Sequence, residues 1–372
     1  MNVNLLLIIC LSLSAFYFIF LISIKKGIRN ILKAQPVKEN KEKVTVIIPF
    51  KNESDNIINS IKSLQEQTYP KEKLEIYYVD DNSTDDSIER YNSFSKEDYF
   101  RLLVVPNEYL PAQRKLRAIK FGLDQANGDI IITTDCDCLH NAKWIESIVN
   151  TFDEETGFVS GPVKFSNKKL LYSSLQELEF AGLILTGAGL IGLNQPVVCN
   201  SANIAYRKDL IETIKNKSKN LSEVFDESLI IKTSIETNYK VKFCWNADAI
   251  VSTEAVSNLK NFWKQRTRWA SFNWFQLPVN ILLSLALTFL FYLSIPLLLL
   301  QSISGNTLSL FLLAFSMMIK LVADYIVLRE GRKFLFENIR IHLFLIAELL
   351  HIPYIIISVV SGFIFNVKWK EK

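Results

Sequence analysis

Ile130-Ile131-Ile132-Thr133-Thr134-Asp135-Cys136-Asp137 is the stretch on which the fold turns. A β-branched apolar run reads as a buried strand, and this one closes on two carboxylates with one residue between them. On an extended segment residues two apart project to the same side, so Asp135 and Asp137 are expected to face one cleft. Paired carboxylates suit a hard divalent cation, Mg²⁺ or Mn²⁺, that bridges to phosphate oxygens. An acidic turn capping a strand has the same local sequence, so the rest of the chain has to decide.

Working outward, short β-type runs alternate with helical ones. Val44 to Pro49, Leu74 to Val79, Arg101 to Val105 and Ile130 to Thr134 read as strands. Asp55 to Gln67, the stretch around Ser87 to Tyr91, and Gln113 to Ala126 read as helices. This order predicts an α/β fold with a mostly parallel sheet covered by helices on both faces. In such sheets ligands bind beyond the carboxyl ends of the strands. The polar clusters fall there: Pro49 to Glu53, Asp80 to Ser83, and Asp135 with Asp137.

The chain has 372 residues, 49% of them hydrophobic, and the apolar excess is concentrated at its two ends. Leu5 to Ile24 is uncharged and long enough to cross a bilayer core. No basic residue precedes it and no small-residue cleavage site follows, which favours a retained anchor over a signal peptide. Lys25, Lys26, Arg29 and Lys33 follow at once and place the downstream side in the cytoplasm. Leu277 to Leu300 and Leu308 to Leu328 are two further spans, the second carrying Lys320 and Asp324 at helical pairing distance. Ile341 to Phe365 is a third apolar run, interrupted by Glu348, His351 and Pro353. If it crosses, the tail Lys368 to Lys372 lies outside, against the positive-inside preference; a re-entrant or interfacial element is the alternative.

These features predict an N-terminal transmembrane anchor over 1–24, a cytoplasmic domain over 25–257, an amphipathic interfacial helix over 258–276 and a transmembrane region over 277–366. The net charge of +4 is mild. Its basic residues gather near membrane borders, which fits anionic lipid headgroups and not nucleic acid. The five cysteines, at 10, 136, 138, 199 and 244, lack C-x-x-C spacing and are expected to pack as reduced thiols.

Val46 to Glu53 (VIIPFKNE), Val79 to Ser83 (VDDNS), Asp135-Cys136-Asp137, Cys199 to Asn203 (CNSAN) and Gln265 to Trp269 (QRTRW) follow one another in this order. Together they resemble the membrane-bound family-2 glycosyltransferases, whose GT-A nucleotide-sugar domain is shared by cellulose, hyaluronan and poly-GlcNAc synthases. The resemblance covers residues 43 to about 275 and extends to the flanking spans. It implies a nucleotide-sugar donor, UDP being the commonest nucleotide, and a lipid or growing polysaccharide acceptor in the cell envelope. It also implies Mg²⁺ or Mn²⁺ held by Asp135 and Asp137.

Residue by residue, the resemblance makes Asp80 or Asp81 a contact to the nucleotide base or ribose, with Pro49 and Glu53 bordering that pocket. An Asx-turn is the structural alternative for the two aspartates, and a favourable charge in the first helix turn is the alternative for Glu53. Lys115 matches a Lys-x-x-Ala diphosphate contact, unless it lies on an ordinary solvated helix face. Asn200 and Asn203 fall in the acceptor stretch, where Ser201 replaces the family's glycine. Asp226 keeps the spacing of the catalytic base, although Phe225 stands where the family has a first acid. Glu227 is the alternative base, and a helix cap is the third reading. Gln265, Arg268 and Trp269 match the QxxRW motif: Arg268 would neutralise the departing diphosphate and Trp269 would stack on the acceptor sugar. The same stretch reads independently as an interfacial amphipathic helix. His140 is either a further metal ligand or a packing group.

The resemblance thus implies a metal-dependent, inverting transfer, either processive through the protein's own spans or of a single sugar to a lipid. Few spans would call for export partners or a homo-oligomer. A degenerate scaffold subunit of a polysaccharide export complex and a nucleotidyltransferase are the competing classes.

Overall fold

The computed structural model describes residues 3–33, 42–94, 96–109, 114–166, 170–197, 199–217, 227–270 and 277–364. The chain forms two compact units. A sheet unit comprises Arg29–Ser166 and Leu190–Glu254; an apolar unit comprises Met1–Ile28, Asn167–Gly189 and Ala255–Lys372. The uninterrupted domain expected over 25–257 is therefore broken by residues 167–189, which join the apolar segments.

Helix α1 (Val3–Lys33) leads into β1 (Val44–Phe50), α2 (Ile57–Gln65), β2 (Leu74–Asp80), α3 (Ser87–Ser93), β3 (Phe100–Val104), α4 (Arg114–Gln125) and β4 (Ile130–Thr133). There follow β5 (Leu139–His140), α5 (Trp144–Val149), β6 (Thr156–Ser160), β7 (Val163–Phe165), α6 (Leu171–Gly192) and β8 (Ile204–Arg207). The sheet unit ends with α7 (Lys208–Lys217), α8 (Glu227–Glu236), β9 (Lys240–Phe243) and β10 (Val251–Thr253). Seven strands form one sheet in the order β3-β2-β1-β4-β8-β6-β9, and β5-β10-β7 form a second. The first four strands pair in parallel, as their alternation with helices predicts, and β8 runs antiparallel between β4 and β6.

Every residue of β1 and of β4 is buried, which is why both read as continuous apolar runs and not as alternating ones. Ile47, Val79 and Ile131 pack with Ala118, Ile119 and Leu123 of α4 in one core. Burying an Ile or Val side chain contributes about 1.5–3 kcal/mol. The register places Phe50 beside Asp80, and Ile47 beside Thr133. The polar residues that follow these three strands are thereby delivered to one edge.

The turn before β4 is fixed to β1. Gly128 donates its N–H to Thr45 Oγ1 at 2.8 Å, and Thr45 Oγ1 donates to Glu75 Oε2 at 3.1 Å.

The apolar unit contains α1, α6, α9 (Leu259–Ala270), α10 (Val279–Ile303), α11 (Thr307–Arg332) and α12 (Phe344–Ile364). Among the described residues five helices are long and apolar enough to cross a membrane: Leu5–Lys33, Leu171–Gly192, Val279–Ile303, Thr307–Arg332 and Ile341–Ile364. The second of these is absent from the sequence reading. Lys320 pairs with Asp324 at 2.9 Å as expected, and also with Glu348. Tyr17 donates to Asp324 Oδ1 at 2.7 Å. Charges inside an apolar helix bundle persist only when partnered in this way.

A Cβ on Gly128 would stand 2.4 Å from the Thr45 backbone nitrogen, so Gly128→Ala forces the turn off β1. The expected loss is about 1–3 kcal/mol of overpacking, read as a lower thermal midpoint of the detergent-purified protein.

Candidate active site

Strand β4 stops at Thr133, and Cys138 donates its N–H to Asp135 O at 3.2 Å. Residues 135–138 are thus a turn, and the extended geometry expected for Asp135 and Asp137 does not hold. The reason lies in the interleaved cysteines: Cys136 and Cys138 are 2% and 1% exposed and anchor the turn, while both aspartates stay outside. All five cysteines are free thiols.

The turn nevertheless gathers the expected residues. Lys115, in the first turn of α4, reaches Asp135 Oδ1 at 2.6 Å and Ser201 Oγ at 3.2 Å. Crowding by surrounding protein, with the like charges of Asp135 and Glu53, raises the Asp137 carboxyl to about 6, even though its side chain keeps contact with water. The Lys115 ammonium opposes that rise. Among the described residues no three His, Cys, Asp or Glu side chains are grouped to hold a metal. The carboxylate pair itself fits a hard cation whose remaining ligands come from phosphate and water. With Asp135 bound by Lys115, Asp137 is the freer ligand.

The loops after β1 and β2 are laced together. Asn52, at φ 55°, donates its N–H to Ser83 Oγ at 2.9 Å and accepts from Thr84 N at 2.8 Å. Glu53 N donates to Ser87 Oγ at 2.9 Å, and Ser54 N to Asp85 Oδ2 at 3.2 Å. The two candidate aspartates separate cleanly in role. Asp80, fully buried, accepts from Ser83 N at 3.1 Å and from Ser83 Oγ at 2.5 Å, an Asx-turn. Asp81, 2% exposed, accepts from Arg117 Nε at 2.8 Å on Oδ1, whereas its Oδ2 has no partner among the described residues. A buried carboxylate oxygen left open is costly without a ligand, and it marks Asp81 as the member of the pair with capacity to bind. Pro49 is buried in β1 in register with Val79. Glu53 accepts from Asn56 Nδ2 at 2.8 Å, and its carbonyl receives the N–H groups of Asn56 and Ile57 at the start of α2.

The acceptor stretch divides similarly. Asn203 is fully buried: Nδ2 donates to Pro162 O and Ala249 O, both at 2.8 Å, and Oδ1 accepts from Trp144 Nε1 at 3.0 Å. With its amide fully engaged by protein, Asn203 locks the loop instead of facing a substrate. Asn200 closes a turn by accepting from Ala202 N at 3.0 Å, and Ser201 supplies the contact to Lys115. His140 is held between Ser63 Oγ at 3.1 Å and Thr134 Oγ1 at 2.9 Å and lies against Trp144, so it is a packing group.

Residues 45–215 match the model for "Glycosyl transferase family 2". The chain carries a family 2 glycosyltransferase domain. It is 29% identical over 250 residues to a probable glycosyltransferase, YdaM, of Bacillus subtilis, covering 66% of this chain and 58% of that protein. It is 25% identical over 262 residues to the hyaluronan synthase of Streptococcus pyogenes, covering 66% of this chain and 60% of the synthase. The chain thus spans less than two thirds of the length of these relatives. Among solved structures, a mannosyltransferase of Pyrobaculum calidifontis in complex with GDP-Man and Mn²⁺ superimposes with a TM-score of 0.58 at 18% identity. That likeness covers 98% of this chain and 100% of the other, and it establishes the shared GT-A fold.

Gln265 to Trp269, the last of the stretches that carry the resemblance, lies on α9 in the apolar unit. Arg266, which the interfacial-helix reading turns toward the headgroups with Lys260, Lys264 and Arg268, is instead 1% exposed. It pairs with Glu179 of α6 and donates to Gln265 Oε1, and its guanidinium lies 4.6 Å from the Phe262 ring centroid and 4.3 Å from that of Trp269. Tyr354 of α12 donates to the other oxygen of Glu179 at 2.8 Å. A guanidinium has only donors, so Gln265 must turn its amide oxygen toward it, leaving the two amide N–H groups for another acceptor. Trp269 also stacks on Phe180, with ring centroids 5.7 Å apart. Arg268 is half-buried. Asp226 lies outside the described residues; Glu227 begins α8.

Burial holds His140 neutral, its pKa lowered from 6.5 to about 3. The unfolded chain therefore binds the extra proton between those values, and stability falls as pH drops below 6.5. About 2 kcal/mol is expected to be lost from this site by pH 5. His140→Gln should flatten that part of a thermal-midpoint profile measured from pH 8 to 5.

Proposed function

We propose that the chain is a metal-dependent, inverting glycosyltransferase that moves a sugar from a nucleoside diphosphate donor, UDP foremost, to a hydroxyl of a membrane lipid or growing polysaccharide. The observation that carries the reading is the convergence of Lys115, Asp135 and Ser201 beside Asp137 at the carboxyl edge of a parallel sheet. The Mn²⁺ in the Pyrobaculum mannosyltransferase and the synthase relatives support its cofactor and acceptor classes.

In this mechanism the open Asp81 carboxylate oxygen accepts from the nucleoside. Pro49 and Glu53 border that pocket. Asp137, with Asp135, would hold Mg²⁺ or Mn²⁺. Such a cation, when bound, offsets the charge of the departing diphosphate. Lys115, which pairs with Asp135, would transfer that hydrogen bond to a phosphate oxygen. The acceptor oxygen attacks the anomeric carbon as the bond from that carbon to the phosphate oxygen breaks. The acceptor proton passes to the Asp226 carboxylate, and the nucleoside diphosphate leaves. Gln265 offers N–H donors to a substrate oxygen, while Arg268 and Trp269 act at the diphosphate and acceptor. The basic residues flanking α1 and α11 favour a cytoplasmic sheet unit at the cell membrane.

Nucleoside diphosphate release, measured across UDP- and GDP-sugars with Mn²⁺ and native lipid extract, tests the reading. Asp137→Ala should abolish release, and Asp226→Asn should slow it by about 10²- to 10⁴-fold. Loss with Asp137→Ala alone would move the base to Glu227, and pyrophosphate as product would identify a nucleotidyltransferase.

Gln265→Glu keeps an oxygen toward Arg266 but removes both amide donors. It should retain the wild-type thermal midpoint while kcat/KM falls at least about 10-fold, the worth of one hydrogen bond in the transition state.

A further inference from the structure

Helices α6 and α12 meet the length and apolarity of a membrane span, yet connections and contacts place them differently. Helix α6 follows β7 and precedes β8, and both strands belong to the sheet unit. A crossing α6 would leave those strands on opposite sides of a bilayer. It therefore enters and leaves on one side.

Close contacts identify that side. A Cβ on Gly189 would stand 2.5 Å from Ile24 Cγ2, and one on Gly331 would stand 2.4 Å from Leu185 Cδ2. Helix α6 thus packs on the ends of α1 and α11 where Lys25 and Glu330 pair at 3.8 Å. This is the basic end of both helices, carrying Lys25, Lys26, Arg329 and Arg332. The two helices run in the same direction, since Ser14 meets Ser316 at 3.0 Å and Tyr17 meets Asp324 at 2.7 Å. Helix α10 runs against them, with Tyr292 beside Tyr17 at 3.3 Å. At the far end Cys10, Leu298 and Leu312 close the bundle.

Helix α12 starts near the basic end, with the Phe344 ring 5.8 Å from that of Tyr325. Glu348 then bonds Lys320, and His351 Nδ1 lies 3.2 Å from Tyr292 OH. Continued outward, a spanning helix would carry Tyr354 and Gly362 toward Leu298 and Leu312. Their contacts lie elsewhere. Tyr354 bonds Glu179, which is about 9 Å along α6 from Leu185 at the basic end. Gly362 is pressed on α9, where its Cβ would stand 2.7 Å from the Ala270 carbonyl carbon. Among the described residues the far-end cluster contains none from α12. The buried side of α12 carries Glu348, Ile352 and Ser358, while Leu349, Ile357 and Phe363 are exposed. The exposed side is apolar along its whole length.

We propose that α12 is a re-entrant helix. It enters the leaflet at the basic end, lies beside α9 and α6, and returns on the same side, its Leu349, Ile357 and Phe363 face seated on the acyl chains of that leaflet's phospholipids. The chain then crosses three times, through α1, α10 and α11. The charge rule, applied to Lys368, Lys370 and Lys372 in the sequence, accords with three crossings and would be broken by a fourth. It stands independently of the catalytic reading.

Labelling of the full chain in sealed vesicles with a membrane-impermeant maleimide tests it. Cys10, Cys136, Cys138 and Cys244 are buried, so only the half-exposed Cys199 needs replacement by serine. Lys372→Cys is expected to react from the same side as Lys333→Cys and from the side opposite to Gly305→Cys. Reaction from the Gly305→Cys side overturns the proposal. Spin labels at Leu349→Cys, Ile357→Cys and Phe363→Cys in nanodiscs give an independent answer. A re-entrant α12 holds all three at similar depth within one leaflet, whereas a crossing helix spreads the first and last by about 21 Å.

Discussion

The ion pair between Lys115 and Asp135, at 2.6 Å, is the constraint on which the site depends. Asp135, Asp137 and Glu53 come close enough for their charges to act on one another. Left alone, three carboxylates at one sheet edge would repel and open the loops that carry them. Lys115 balances one of them and, through Ser201, also ties the stretch before β8 to α4. Asp137 keeps a raised carboxyl pKa, first because surrounding protein crowds it and then because of the excess negative charge from Asp135 and Glu53. A divalent cation, or a proton in its absence, is what that excess asks for.

The apolar unit follows the same logic in a harsher solvent. Lys320 is fully buried and touches both Asp324 and Glu348, and Arg266 touches Glu179. Each basic group finds its acids on another turn or another helix, because acyl chains offer no water to hydrate a lone charge. Tyr17, Tyr292, His351 and Tyr354 extend these pairs into hydrogen-bonded links among α1, α10, α11, α12 and α6. The position of α9, and with it Gln265, is set by this network and not by the apolar surface alone.

Strands β1, β2 and β4 were legible because their signal is local: a short run of apolar residues ended by polar ones. The site was legible in its residues and less so in their roles. Asp80 and Asp81 are adjacent and chemically identical, and only the partners separate them, Ser83 three residues on for one and Arg117 on α4 for the other. Asn203 looks like a substrate contact until Trp144, Pro162 and Ala249 fold around it. Helix α6 escaped notice because Glu177 and Glu179 interrupt its apolar run. The group that neutralises Glu179, Arg266, stands far away in sequence, and no window along the chain contains both.

The two stretches that carry those partners each follow a strand of the small sheet in the sequence. Strands β7 and β10 pair in parallel, Val163 with Val251 and Phe165 with Thr253, and Ser166 N continues the ladder to Thr253 O at 2.7 Å. Five residues separate Phe165 from the start of α6 at Leu171, and five separate Thr253 from the start of α9 at Leu259. Gln176 donating to Val256 O at 3.0 Å joins α6 to the stretch before α9, and Glu179 on the next turn of α6 meets Arg266. A one-residue insertion between Val256 and the start of α9 at Leu259 would rotate that helix by about 100° and part that pair, leaving a fully buried guanidinium without its counter-charge. Loss of the pair should therefore free the side chain of Gln265 from Arg266 while the large sheet, which shares none of these bonds, stays folded.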